Sequence, residues 1–390
     1  MSNWPLVPLG DILAQDGQTE RIANTESEKF LTIRLYGKGL VERSIGSGKT
    51  PKPFVGYRVK PGQFVYSRID ARNGAYGVVP DELDGAVCSK DFPKFDVDQQ
   101  RADENYLLRL VQTRDFYRKV QDLSFGATNR QRVKEEEFLR LRIPLPPIEE
   151  QRRIAAILDH ADALRAKRRE ALDRLDELTQ SIFIDMFGDP IVNPRGYPIK
   201  PLQELIDPAR PITYGILKPG EDVGEAGVKY VRVVDMKNGE ILADTVRSTS
   251  REIAETYRRS RLIPGDLLMS IRGHVGRVAI VPDSLEGANI TQDTARLAVV
   301  GASTAYVREC ISTAGFRRWM DRHTKGVAVR GINLGDVKEM PIPVPEPEQQ
   351  EEFARVVATV VLHRSTVRES LSAMEAEFAS LQSRAFRGEL

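Results

Sequence analysis

Gly46-Ser47-Gly48-Lys49-Thr50 carries the ending of a phosphate-binding loop, the most obvious place for this chain to do chemistry. A P-loop needs a further glycine five residues before Gly48, and Arg43 stands there. Pro51 and Pro53 also bar the helix that must follow. The nucleotide-binding reading is rejected. His160, His274, His323 and His363, with Cys88 and Cys310, show no zinc-like spacing. Pro80-Asp81-Glu82 hints at a carboxylate cluster, but its repeat, Pro282-Asp283-Ser284, lacks the second acid, so a turn is the better account. No Ser/His/Asp arrangement is visible. Asn193-Pro194-Arg195-Gly196-Tyr197 has the wrong third residue for an Asn-Pro-Pro-aromatic methyltransferase loop. No catalytic residue, metal or cofactor is expected in this chain, and catalysis is expected from another one.

The polar chemistry that remains suits nucleic acid. Between Glu42 and Lys60 lie Arg43, Lys49, Lys52, Arg58 and Lys60, interleaved with Phe54 and Tyr57 and with Gly46, Gly48 and Gly56. Cations with glycines suit phosphate contact, which positions a protein on a duplex without reading it. Ser67-Arg68-Ile69-Asp70-Ala71-Arg72-Asn73-Gly74-Ala75 adds base-reading types, since Arg pairs with guanine, Asn with adenine and Asp with cytosine. The matching stretch, Met269 to Arg277, keeps the framework and changes the polar set to Arg272, His274 and Arg277. Arg258, Arg259 and Arg261 precede it. Lys325 and Arg330 are the later phosphate candidates, matched in the first half by Thr128, Asn129 and Arg130.

These residues sit on a chain that repeats itself. Trp4-Pro5-Leu6 to Leu13 returns as Tyr197-Pro198-Ile199 to Ile206, an offset of 197 − 4 = 193. Ile143-Pro144-Leu145-Pro146 with Glu149 and Gln151 returns as Ile342-Pro343-Val344-Pro345 with Glu348 and Gln350, an offset of 342 − 143 = 199. A period this long exceeds any solenoid unit and marks a duplicated domain pair. Each copy reads as an α+β region with short strands, a helix over Asn105–Leu123 or Ala305–Met320, and then a long helix. Proline in the first turn and Glu149-Glu150 start that helix; Phe187-Gly188-Asp189-Pro190 stops it. Ile154, Ile157, Ala161, Leu164, Arg168, Ala171, Leu175, Leu178 and Ile182 form a heptad-like seam broken by one arginine. Phe353, Val357, Val360, Arg364, Val367, Leu371, Met374, Phe378 and Leu381 form the second. Each helix should span roughly 50 Å. The spacing favours two antiparallel helices packed as a coiled-coil spacer; the alternative is that each covers its own mixed domain.

Composition bounds the rest. At 390 residues, 41% hydrophobic and 29% charged, the chain reads as soluble, with more than one core. A net charge of +1 excludes a uniformly basic coat and leaves room for local basic patches. Two cysteines cannot build a disulfide framework, and no run of about 18 apolar residues occurs, so a cytoplasmic location without a membrane span is expected.

With these motifs in cyclic order, the chain resembles the specificity (S) subunits of type I restriction-modification systems. The carriers are Trp4–Leu13 and Tyr197–Ile206, Ser67–Ala75, Ile212–Gly220 with Tyr214 and Lys218, Pro144–Ile154 with Phe187–Pro190, and Pro343–Phe353 with Phe386–Leu390. The resemblance implies target recognition domains over 1–142 and 191–341, each reading half of a bipartite, asymmetric site in double-stranded DNA. It implies conserved helical spacers over 143–190 and 342–390 that set the gap between half-sites, related by a cyclic pseudo-two-fold repeat. Partners would be two methyltransferase (M) subunits and a motor-nuclease (R) subunit, using S-adenosylmethionine, ATP and Mg for adenine methylation and ATP-dependent cleavage. Glu346-Pro347 in place of Pro147-Ile148 suggests a shifted start for the second long helix. A protein-interaction scaffold that does not bind DNA remains the competing reading.

Overall fold

A computed structural model describes residues 4–46, 49–123, 132–326 and 330–390. The chain divides into two compact units, one of Met1–Lys167 with Ser370–Leu390 and one of Arg168–Glu369.

In the first unit a short ribbon pairs Leu6–Pro8 with Arg142–Pro144, bringing the opening of the repeat against its close. Prolines at its ends cannot donate to a ladder, which keeps it three residues long. A four-stranded antiparallel sheet follows in the order Leu13–Asp16, Lys94–Val97, Phe64–Tyr66, Tyr76–Val78. Phe64, Tyr66 and Phe95 point from it into the core, where the Tyr66 and Phe138 rings stack 4.3 Å apart. A second, three-stranded sheet of Glu20–Ile22, Phe54–Arg58 and Val87–Ser89 lies beside a separate core around Val59, Val65 and Val79.

The second unit repeats this plan. Ile199–Pro201 pairs with Pro341–Pro343, and the four-stranded sheet runs Thr213–Tyr214, Thr294–Leu297, Leu267–Ser270, Val278–Ile280. Its three-stranded sheet differs in sense, since Val228–Val231 runs parallel to Asn289–Ile290 where the first unit's partners are antiparallel.

The single helix expected over Asn105–Leu123 is two helices, Glu104–Val111 and Arg114–Asp122, and its counterpart is Thr304–Ser312 with Ala314–His323. The break falls at Thr113 and Thr313, whose hydroxyls accept the amide protons of Phe116 and Phe316 at 3.2 and 3.3 Å. A threonine that captures the next turn's N–H starts a new helix there.

The long helices are Ile148–Phe187 and Pro347–Ala385, 40 and 39 residues, each about 60 Å by the α-helical rise. Their starts are equivalent (347 − 148 = 199), so the expected shift is absent. In the first unit Ile154, Ala155 and Leu158 share a core with Phe378, Ala385 and Phe386. In the second, Phe183 and Phe187 pack edge-on against Phe353 at 5.5 Å. The opening turns of each helix thus meet the closing turns of the other, and both meet the mixed domain of that unit.

The second seam faces inward as expected: Phe353, Val357 and Phe378 are buried, with Val360, Val367 and Leu371 half-buried. The first seam is rotated. Ile154 is buried as expected, but Leu164 and Leu178 are 40% and 45% exposed, Ile157, Leu175 and Ile182 are half-buried, and Ala155, Leu158, Thr179, Phe183 and Phe187 are buried outside the expected stripe. Arg168, expected to interrupt this stripe, is exposed; Arg165 does so instead, its guanidinium 3.6 Å from the Phe378 ring centroid. Arg165 is also the equivalent of Arg364 (364 − 165 = 199). Following apolarity alone misplaced the face, because arginine stems and threonine methyls pack inside while spare leucines lie outside.

Candidate nucleic-acid interface

In the second unit, strand Leu267–Ser270 ends on a buried serine. Its hydroxyl donates to the His274 carbonyl and accepts from the Arg277 amide at 2.8 Å, which closes the loop from Ile271 to Arg277. A second loop is stitched beside it. Ile332 N–H donates to the Ile271 carbonyl at 2.9 Å, Gly273 N–H to the Arg330 carbonyl at 2.9 Å, and Lys325 and Gly331 exchange hydrogen bonds at 2.8 and 3.0 Å. The two loops, with Tyr214 and Leu217, line a groove of about 870 Å³. Arg272 enters it half-exposed, 3.3 Å from the Gln292 Oε1 and 4.0 Å from the Asp293 carboxylate. Lys325 and Asn333 complete the polar lining. A half-exposed guanidinium beside an amide and a carboxylate offers donors and acceptors of the kinds that can pair with base edges.

The expected contacts Lys218, Arg258, Arg259 and His274 are exposed. Arg261 pairs with Glu255 at 2.8 Å, and Arg330 with Asp321 at 3.4 Å, both at the surface. Arg277 is a correction. It is half-buried, and its guanidinium lies 3.5 and 3.4 Å from the carbonyls of Val233 and Met236, so it fastens a loop inside the unit.

The first unit has the same frame with other contents. Ser67 is buried and accepts the Asp70 amide proton at 3.1 Å, and Val133 N–H donates to the Arg68 carbonyl at 2.8 Å as Ile332 does to Ile271. Arg72 and Asn73 lie half-buried on the following turn, with the Asn73 amide 3.3 Å from the Asp70 carboxylate. Arg43, Lys49 and Lys52 are exposed cations. Thr128, Asn129 and Arg130 lie outside the described residues.

Four expectations in this unit are corrected. Tyr57 is buried in the core with Val59 and Cys88, so its ring cannot reach a ligand. Arg58 is held by Glu20 at 2.7 Å, Glu28 at 2.9 Å and the Gly85 carbonyl at 2.7 Å. That bidentate grip lowers the Glu28 pKa, because the guanidinium hydrogen bonds favour its charged form. Ser67 is a turn-builder, not a contact. Arg68 pairs with Glu135 and donates to the Lys90 carbonyl at 2.7 Å, and the Glu135 hydrogen bond raises its pKa. Gln292, Asp293 and Asn333 were missed; the polar pair Gln292-Asp293 between two short strands was the available signal.

Among the described residues no group of three or more His, Cys, Asp or Glu is placed to hold a metal ion, and no helix is long and apolar enough to cross a membrane.

Residues 1–174 match the family model described as type I restriction modification DNA specificity domain. The chain is similar to the type I restriction enzyme EcoBI specificity subunit of Escherichia coli, 27% identical over 277 residues, 64% of this chain. It spans 58% of that relative's length. It is also similar to the MjaVIII specificity subunit of Methanocaldococcus jannaschii, 21% identical over 292 residues, 70% of this chain and 67% of the relative. Two solved chains share the fold. One comes from work on complex assembly and conformational transition of the type I R-M system, with TM-score 0.55, 19% identity, and 99% and 98% of the two chains covered. The other is the type I restriction-modification S subunit from M. genitalium, with TM-score 0.54, 14% identity, and 99% and 96% covered. With its duplicated α+β frame and its match over residues 1–174, the chain is similar to the specificity subunits of type I restriction-modification systems.

Proposed function

We propose that the chain is a non-catalytic DNA-specificity subunit whose recognition domains, 1–142 and 191–341, each read one half of a bipartite, asymmetric duplex site. The observation that carries this is the shared loop frame with unshared polar contents. Ser67 and Ser270 close equivalent turns, and the carbonyls of Arg68 and Ile271 accept equivalent bonds, while the side chains offered around them differ. One frame with two polar sets suits two different short sequences.

The helical segments 143–190 and 342–390 then set the gap between half-sites and dock two methyltransferase subunits. The exposed Leu164, Leu178, Ile184, Val356 and Leu362 on those helices support a docking role. The partners, including a motor-nuclease subunit, bring S-adenosylmethionine, ATP and Mg for adenine methylation and cleavage, all in the cytoplasm.

The test is selection of bound duplexes from a random library by the full chain, before and after exchange of residues 1–142 for those of another specificity subunit. A bipartite consensus, with only one half altered by the exchange, is expected. If no duplex is enriched, the scaffold reading replaces this one.

A further inference from the structure

We propose that Tyr36 is a DNA-contacting residue of the first unit, its ring held outward to press on a base step of the duplex. The inference rests on the DNA-reading function above and adds a residue and a mode of contact to it.

Arg34-Leu35-Tyr36-Gly37-Lys38-Gly39 joins strands Leu31–Ile33 and Leu40–Glu42, closed by the Arg34 amide donating to the Gly39 carbonyl at 2.9 Å. Tyr36 and Gly37 both adopt left-handed backbone, with φ of 63° and 68°. Glycine takes that conformation freely, whereas a bulky aromatic residue seldom does. The strain is held in place from outside the loop. The Tyr36 amide donates to the Asn73 carbonyl at 2.7 Å, and the Gly37 amide to the Gly74 carbonyl at 2.9 Å. Gly74 is itself left-handed, and a Cβ there would lie 2.8 Å from the Tyr36 Cα, so the close approach needs glycine. The turn that carries Arg72 and Asn73 therefore grips the backbone of Tyr36.

Among the described residues, none makes a ring contact with Tyr36. Tyr36 is 69% exposed, and its hydroxyl finds no hydrogen-bond partner among the described residues. Glycine or asparagine would meet the backbone demand with less strain. A strained residue whose side chain is mostly exposed points to a task outside the chain. The neighbours indicate the occupant. Arg34 and Lys38 flank the ring, both exposed and without an ion pair among the described residues, and Leu35 adds a partly exposed apolar shoulder. An aromatic wedge between two free cations suits a base step with phosphates on either side.

The test uses the full chain and the duplex enriched by the wild-type protein, with 2-aminopurine placed at successive positions of the half-site governed by residues 1–142. Tyr36→Gly releases the strain and removes the ring together. It should melt no lower than wild type, bind the duplex roughly tenfold or more weakly, the scale of one lost stacking contact, and lose the 2-aminopurine enhancement. Tyr36→Phe should keep both affinity and enhancement. Wild-type affinity in Tyr36→Gly, or no enhancement with the wild-type protein, overturns the proposal. A fall in melting temperature accompanying lost binding would assign the ring to the fold and overturn it too. If the wild type enriches no duplex, the failure belongs to the DNA-reading function itself and removes this inference with it.

Discussion

Arg68 and Arg272 show how little a residue type says until its partners are known. Both stand just beyond the end of a central strand, next to the loop that should face a ligand. Arg68 spends its charge on Glu135, while Arg272 keeps half its surface in an open groove, near Gln292 and Asp293. Arg272→Ala should therefore weaken discrimination at one half-site by roughly 1–3 kcal/mol in competition binding, and equal loss on every sequence would reduce it to a phosphate contact. Arg68→Ala should leave base preference alone and lower stability by roughly 1–3 kcal/mol in thermal or denaturant unfolding, because a largely buried Glu135 is stranded. Local sequence could not separate the two arginines, since Glu135 lies 67 residues from Arg68. The same distance problem hid Tyr57 in the core and tied Arg58 to Glu20 and Glu28. Exposed cations such as Lys49, Lys52, Arg258 and Arg259 were legible because they depend on no distant partner.

At the scale of elements, the two long helices and the face of the second were readable, while the break at Thr113 and Thr313 and the face of the first long helix were not. Proline starts, the Gly-Pro stop and two long apolar stripes announced both long helices, but which side of the first one turns inward depends on Arg165, Leu158 and Thr179. The repeated glutamine beyond each proline run also has a role that spacing alone did not disclose. Gln151 donates to the Pro146 and Arg101 carbonyls, both at 2.8 Å, and accepts from the Asp103 amide at 2.8 Å. Gln350 donates to Pro345 at 2.7 Å and accepts from the Ser303 amide at 2.8 Å. Each fixes a long helix to the cap of a domain helix. A charged clasp then differs between units. Arg109 grips Asp159 at 2.7 Å and Asp162 at 2.8 Å in the first. In the second, Arg364, only 7% exposed, and Arg368 converge on Glu240. Burial disfavours the Asp162 charge, yet hydrogen bonds from Arg165 and Arg109 outweigh it and lower the pKa below 3.8. A carboxylate depressed on folding stabilises fully above its unfolded pKa and loses that contribution as pH falls through the folded one. Melting temperatures of wild type and Asp162→Asn should thus differ most at neutral pH and converge in acid, as pH falls below the ordinary carboxylate range; a constant gap would show that the charge is not the cause.

For the whole molecule, the duplication was plain from the order of its motifs, because two copies of the same punctuation survive wide divergence of the residues between them. Less plain was that the units do not follow the copies. The first unit is assembled from Met1–Lys167 and Ser370–Leu390, with the Trp4 indole N–H on the Ala385 carbonyl at 3.3 Å and the Phe386 ring 5.3 Å from Tyr106. Removing residues 382–390 should expose that core to proteolysis and hydrogen exchange while sparing 168–369; equal damage to both units would deny that the cores are separate. During synthesis the same division imposes a waiting time. An early-made stretch must idle with an apolar flank uncovered until the ribosome has delivered all of its neighbour, so the unit begun first is the last to close, and a stall late in translation would leave a nascent chain with a finished second unit and an open first one.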